Sequence, residues 1–182
     1  LDGTGRTTVV TASNPVLAIH TDGNLLFLNQ STGLYARFIS VNKSTKVVID
    51  EFENYVASVY GSSIAPGVNR IIGRSQGISP SDITYVAYND GGHFTSGGDS
   101  PYHGDYPGGS RVWVAPEGDV VVDNAGIVYS TDALRYDASF GMEIQDIEFL
   151  GQDVPIVLSG SVLTAYSQGY FATGSVNLDH TP

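Results

Sequence analysis

"AIHTDGNLLFL", residues 18–28, carries the reading on which the fold turns. Asp22-Gly23 sits between two apolar runs, and both residue types accept the positive φ that a tight turn between twisted strands demands. The stretch therefore predicts a β-hairpin with strands Val16–Thr21 and Leu25–Asn29. The same rhythm extends in both directions. Gly, Ser, Thr, Asn and Asp recur at short intervals, and β-branched or aromatic residues fill the gaps, which is the pattern of short strands joined by tight turns. Upstream the pattern gives Thr7–Thr11. Downstream it gives Leu34–Val41, Ile83–Tyr88, Arg111–Ala115, Val120–Val122, Ile127–Ser130 and Leu134–Phe140. Glu143–Leu150, Val154–Ser159, Val162–Tyr166 and Tyr170–Leu178 complete the series, with turns at "PEGD", "DNAG", "GQD" and "SGS".

One segment departs from that rhythm. "DEFENYVASVYG", residues 50–61, spaces Phe52, Tyr55, Val56, Val59 and Tyr60 along a single helical face. Asp50 and Glu53 stand in the positions of a capping box, and Gly61 suits a C-terminal cap. The spacing predicts one short amphipathic helix over about 50–60, docked on a sheet. "AIHTDGNLLFL", "VAPEGDVVV" and "EFLGQDVPIVL" each read as apolar run, turn, apolar run, as a propeller blade would. Their spacing is irregular, and hairpins alone produce the same pattern. The expected fold is mainly β: an antiparallel β-sandwich or jelly roll with that one helix, in a single β-rich domain over 1–182. Residues 1–14 read as an extended N-terminal arm and residues 89–110 as a long Gly-rich surface loop.

Bulk composition narrows the function. The chain has 182 residues, with 8 basic against 19 acidic side chains and a net charge of −11. Nucleic-acid binding needs clustered basic side chains to displace counterions, and this chain has none to offer. An anionic membrane would repel it, and no apolar run approaches the ~20 residues of a spanning helix. Cysteine is absent, which removes disulfides, thiolate catalysis and thiolate-bound metals.

"NDGGHFTSGGDSPYHGDYPGGSR", residues 89–111, gathers the groups that could carry chemistry. Asp90, Asp99, His103 and Asp105 offer the carboxylate and imidazole donors of a metal site, and calcium would be accepted by the acids with backbone carbonyls. No other cofactor is called for. Ser100 beside His103 has the residue types of a nucleophile pair, but Pro101 removes a backbone donor where an oxyanion hole needs one, and no G-x-S-x-G occurs. Glu143, Asp146, Glu148 and Asp153 are read as solvent-facing acids of a hairpin. Phe94, Tyr102, Tyr106 and Trp113 combine aromatic faces with nearby polar acceptors, as carbohydrate and protein contact patches do. "NQS" at 29–31 and "NKS" at 42–44 match the glycosylation tripeptide.

Residues 46–92 run as "KVVI", then "DEFENYVASVYG", then a loop, then "ISPSDITYVAYNDGG". This order resembles the tail-fibre-associated proteins of bacteriophages, in which a helix precedes a strand that ends in a Gly-rich turn. "RYDASFGMEIQDIEFLG", residues 135–151, is similar to a later strand pair of that group. The aromatic loop from Gly91 to Ser110 and the strands of residues 1–41 have no counterpart there. The resemblance implies a β-sandwich that is a structural component of a virion, and it carries no catalytic residue. The expected function is thus a non-enzymatic structural or adhesive subunit of an extracellular or virion assembly, partnered by copies of itself or other subunits. The alternative is a carbohydrate-binding module that takes a surface glycan on the aromatic loop. "RTTVVTA" near the start would serve as a strand donated to a neighbour, or as the first strand of its own sheet.

Overall fold

The structure is a computed structural model, and it describes residues 7–33, 36–54, 60–75, 79–151 and 154–179. These described residues fold as four antiparallel sheets of four strands each, and every sheet is a meander of strands consecutive in sequence. The first comprises β1 (Val16–Asp22), β2 (Leu25–Ser31), β3 (Ala36–Asn42) and β4 (Val48–Asn54). The second is β5 (Tyr60–Ala65), β6 (Arg70–Arg74), β7 (Ile83–Tyr88) and β8 (Phe94–Asp99). The third is β9 (Val112–Val114), β10 (Val120–Asp123), β11 (Ile127–Ser130) and β12 (Tyr136–Ser139). The fourth is β13 (Asp146–Leu150), β14 (Val154–Ser159), β15 (Val162–Tyr166) and β16 (Ala172–Asn177).

The sheets stack in chain order, because consecutive residues of a strand point to opposite faces. Ile71 faces a core shared with Phe27 and Phe38 of the first sheet, whereas Ile72 faces one shared with Val121 and Tyr129 of the third. Val121 and Val122 divide in the same way, Val122 packing with Ile147 and Val157 of the fourth sheet. Strands covered on both faces read as unbroken apolar pairs rather than as alternation. The predicted mainly β, antiparallel, sandwich-like class is the observed one. The recurring turn-centred units are real at the level of whole sheets, which begin at Val16, Tyr60, Val112 and Asp146. Unequal connections hide that recurrence from a search at fixed spacing.

The opening hairpin forms with a two-residue loop, Gly23-Asn24, closed by the pairing of Asp22 with Leu25. Gly23 takes φ +50°, one position later than the expected turn pair begins.

No helix forms over the described part of 50–60. Val48–Asn54 forms β4 and Tyr60 opens β5, while Tyr55, Val56 and Val59 lie outside the described residues. Around Phe52 the stretch "EFE" has a period of two as well. Phe52 packs into the first core while Glu51 and Glu53 stay exposed, and Glu51 pairs with Arg37 on β3. Strand pairing with β3 overrode a helical spacing whose members are aromatic and β-branched, residues equally at home on a pleated surface. Asp50 is no helix cap: its carboxylate accepts the backbone N–H of Phe94 at 2.9 Å. Among the described residues the one helical element is a 3-10 turn, Pro66–Val68.

Residues 7–14 form no strand. They cross the outer face of the first sheet, where Val9 and Val10 pack on Leu28, Ile39 and Val41. Lys46 Nζ donates to Thr7 Oγ1 at 2.6 Å, and Asn14 Nδ2 to Gln30 Oε1 at 3.4 Å. The arm is therefore a cap on one end of the stack. The outer face of the fourth sheet, at the other end, belongs to none of the hydrophobic cores among the described residues.

Candidate functional site

The stretch 89–111 divides in two. Residues 94–99 are strand β8, paired with β7 in register from Thr84↔Asp99 to Tyr88↔Phe94, and the irregular part begins at Ser100. Expectation of one continuous loop over 89–110 is thereby corrected. A run of Thr, Ser and Gly (Thr95–Gly98) lacks the apolar alternation that marks a strand, and here it lies on a sheet edge where exposed polar residues belong.

The segment after β8 is held down along its length. Ser100 is buried; its N–H donates to Ile83 O at 3.0 Å and its hydroxyl to Asp82 Oδ1 at 2.7 Å. Tyr136 N–H donates to Tyr102 Oη at 3.0 Å. Asn124 Oδ1 receives the N–H groups of Ser110 and Arg111 at 2.6 and 3.0 Å. Gly104, at φ +88°, lies so close to Pro80 that a Cβ there would fall 2.4 Å from the proline ring.

Under this segment lies a buried ion pair. Arg74 and Asp123 meet at 3.2 Å with their side chains 1% and 0% exposed. The guanidinium also donates to Ser81 O at 3.4 Å and Pro107 O at 3.5 Å, so one cation ties β6, β10 and the loop together. Burial pushes the Asp123 carboxyl above the ordinary carboxylate range, opposed by the Ile127 N–H and the Arg74 charge. Burial likewise raises the Tyr129 phenol, with the nearby Asp123 charge adding to the effect.

Of the four residues expected to ligate a metal, the fold brings two together and supplies a third from elsewhere. Asp99 closes β8, His103 sits on the turn that follows, and Asp82 precedes β7 on the neighbouring strand. One donor atom from each lies within 4.8 Å of the others. Asp90 is instead in the β7–β8 turn at the opposite end of the hairpin, where Asn69 Nδ2 donates to its Oδ1 at 3.0 Å. At ~3.3 Å per residue the length of β7 keeps it far from Asp99. Asp105 is an exposed loop residue, and it is not part of the cluster. Asp82 was missed because it is separated from Asp99 in sequence by a whole hairpin. The buried acid just before the apolar strand "ITYVAY" was its one visible signal.

The expected aromatic patch is dispersed. Phe94 belongs to the first core, with its ring 5.8 Å from Phe52 and 6.0 Å from Phe27. Trp113 faces the fourth sheet beside Val122 and Val128, with the Arg111 guanidinium 4.7 Å above its ring. Only Tyr102 and Tyr106 stay together. Their rings meet edge-on at 5.0 Å, and Tyr106 stacks on Tyr136 at 4.9 Å with 3° between planes. Parity alone leaves the facing of Trp113 open; both faces of its strand turn out to be covered.

A groove between Pro107–Gly108 and Met142–Glu143 has Glu143 as its one titratable lining residue among those described. Asp146 and Glu148 are exposed on the edge strand β13, Asp146 lying 3.7 Å from the Arg111 guanidinium and Glu148 lining a groove with Trp113 and Phe149; Asp153 lies outside the described residues. Ser100 directs its hydroxyl to Asp82 and not to His103. Asn29 is fully buried, a position closed to glycosylation, and the Asn42 side-chain Oδ1 accepts the N–H groups of Ser44 and Thr45. No described helix is long and apolar enough to cross a membrane.

His20 links the first two sheets. Its Nε2 lies 2.8 Å from Ser62 Oγ, to which Asn29 Nδ2 also donates at 3.2 Å. Burial holds the imidazole down, to about 4. An unfolded chain takes up this proton near pH 6.5, so stability is lost as pH falls from about 6.5 through 4, by at most ~3 kcal/mol. Urea titrations of wild type and His20→Asn are expected to converge towards pH 4 and diverge near pH 7. Parallel pH profiles would remove His20 as a source of the slope.

No protein-family model matches this chain, and no curated protein matches it either.

Proposed function

We propose that this protein is a non-enzymatic structural or adhesive subunit of an extracellular or virion assembly, and that two copies join through the outer faces of their fourth sheets. The observation that supports this reading is the side-chain pattern of that face. Leu158 pairs with Leu163, Leu163 with Val176, and Ile156 with Ala165, so these apolar residues share one surface with Leu150 and Val154. Leu150 and Val176 are 59% and 54% exposed. Apolar surface of this extent is costly to leave in water.

A second copy is the favoured occupant on two grounds. Each internal boundary of the stack is already apolar sheet packed on apolar sheet, and a further sheet continues that series. Residues 7–14 cover the outer face of the first sheet, so among the described residues the outer face of the fourth sheet is the uncovered one, and its pairing with the same face of a second copy is self-complementary. The virion setting rests on the resemblance of residues 46–92 alone, and that stretch forms β4 where the group has a helix. The glycan alternative is the weaker one, because the Tyr106 and Tyr136 rings already cover each other.

Sedimentation equilibrium provides the test. Wild type is expected to run as a dimer at tens of micromolar and Leu158→Glu as a folded monomer, while Ile19→Glu on the first sheet leaves the mass unchanged. With −11 on each copy, added salt should tighten the dimer. A wild-type monomer at that concentration, or an unchanged mass for Leu158→Glu, would reject the reading.

A further inference from the structure

We propose that Asp82, Asp99 and His103 form a binding site for one divalent transition cation of the zinc or manganese type, which fastens the Ser100–Arg111 segment to the second sheet. The inference is independent of how copies associate. Its first ground is geometry. His103 Nδ1 and Asp99 Oδ2 face each other at 3.5 Å. Two ligand atoms about 2.1 Å from a tetrahedral ion lie about 3.4 Å apart, so this pair needs almost no movement to share a metal.

The second ground is a buried carboxylate oxygen with no partner. Asp82 is 6% exposed, and its Oδ1 takes both the Ile83 N–H and the Ser100 hydroxyl at 2.7 Å. Its Oδ2 is buried and receives no hydrogen bond. An unsatisfied carboxylate oxygen in that setting costs stability by itself, and a cation offsets the cost. Here the ion would be shared with two outer ligands, of which His103 is 74% and Asp99 39% exposed, leaving a route for entry. The bonds to Oδ1 hold the Asp82 carboxylate in orientation, the role that outer hydrogen bonds play around metal ligands.

The donor set selects the ion. Two carboxylates and one imidazole suit zinc or manganese, whereas calcium prefers six to eight oxygens. His103 holds φ +45°, a left-handed turn conformation that histidine adopts more readily than most residues, and ligation would fix that turn. Bound metal then ties together the end of β8, the residue preceding β7 and the turn that carries Tyr102.

The 182-residue chain, stripped with EDTA, is titrated with zinc, manganese and calcium chlorides by calorimetry. One site per chain is expected, with zinc or manganese bound at least tenfold more tightly than calcium. His103→Ala alters an exposed side chain and is expected to fold normally yet bind at least tenfold more weakly. Asp82→Asn should do the same, and Asp90→Asn should bind as wild type. Zinc should also slow proteolysis of the 100–111 segment in wild type and leave His103→Ala unaffected. Absence of saturable binding by wild type, or equal affinity in His103→Ala, would reduce the cluster to a histidine–aspartate ion pair and overturn the proposal.

Discussion

Arg74→Ala is expected to remove about 3–5 kcal/mol of folding stability, the usual effect of taking one partner from a fully buried ion pair. The arginine and Asp123 are 1% and 0% exposed, so water cannot take over the lost contact without opening the core. Asp123 would keep the Ile127 N–H at 3.0 Å but lose its counter-charge, and its carboxyl, already raised by burial, would rise further. Ser81 O and Pro107 O would lose the same donor, loosening the loop together with the core. Urea denaturation of the variant measures the loss. The double variant Arg74→Leu/Asp123→Leu removes both charges together and should recover a large part of it, since two apolar side chains leave no orphaned ion. A loss below 1 kcal/mol in Arg74→Ala would mean that the pair is not what joins the second and third sheets.

Gly126→Ala is the second large effect, expected at about 3 kcal/mol or more. Gly126 holds φ +83° in the β10–β11 turn, where its N–H donates to Asp123 O and its carbonyl accepts the Phe140 N–H. A Cβ at this position would fall 2.2 Å from the carbonyl oxygen of Met142, which is main chain and has little room to retreat. Gly118 separates the two causes. It has nearly the same backbone, φ +80°, but no atom within 4 Å of its own Cβ position. Gly118→Ala should cost only the left-handed conformation, about 1–2 kcal/mol. The difference between the two variants, read from thermal or urea unfolding, isolates the close approach to Met142. Equal losses would show that conformation accounts for both.

Much of the fold was legible because its signals are local. Gly23 and Gly126 mark turns, and Val121-Val122 and Ile127-Val128 are apolar pairs in strands covered on both faces; the strands Tyr60–Ala65 and Arg70–Arg74, with the pair Ile71-Ile72, are absent from the sequence reading. What escaped reading depended on distant partners. Phe52 became a strand residue because β3 lay beside it, not because "DEFENY" lacks helical spacing. The strand Thr95–Gly98 carries almost no apolar signal, and it exists through its pairing with β7. The candidate metal site was half legible for the same reason. Asp99 and His103 stand four positions apart in one turn, but Asp82 reaches them only across the β7–β8 hairpin, and Asp90 seemed equivalent until the strands fixed opposite ends for the two acids. The aromatic residues misled in the other direction. Phe94, Tyr102 and Trp113 are near neighbours in sequence, yet strand alternation sends Phe94 and Trp113 into different cores.

Among the described residues every strand pairs only with the strand before or after it in the chain, so none of these sheets waits for a segment made much later. Such nearest-neighbour pairing keeps strand contacts local, whereas all-β folding is ordinarily slowed by far-apart partners. Growth on the ribosome can therefore proceed one meander at a time, each completed sheet offering a template face to the next. The order of synthesis is then also the order of assembly, and a nascent chain halted after Ser139 would already hold two of its three inter-sheet cores.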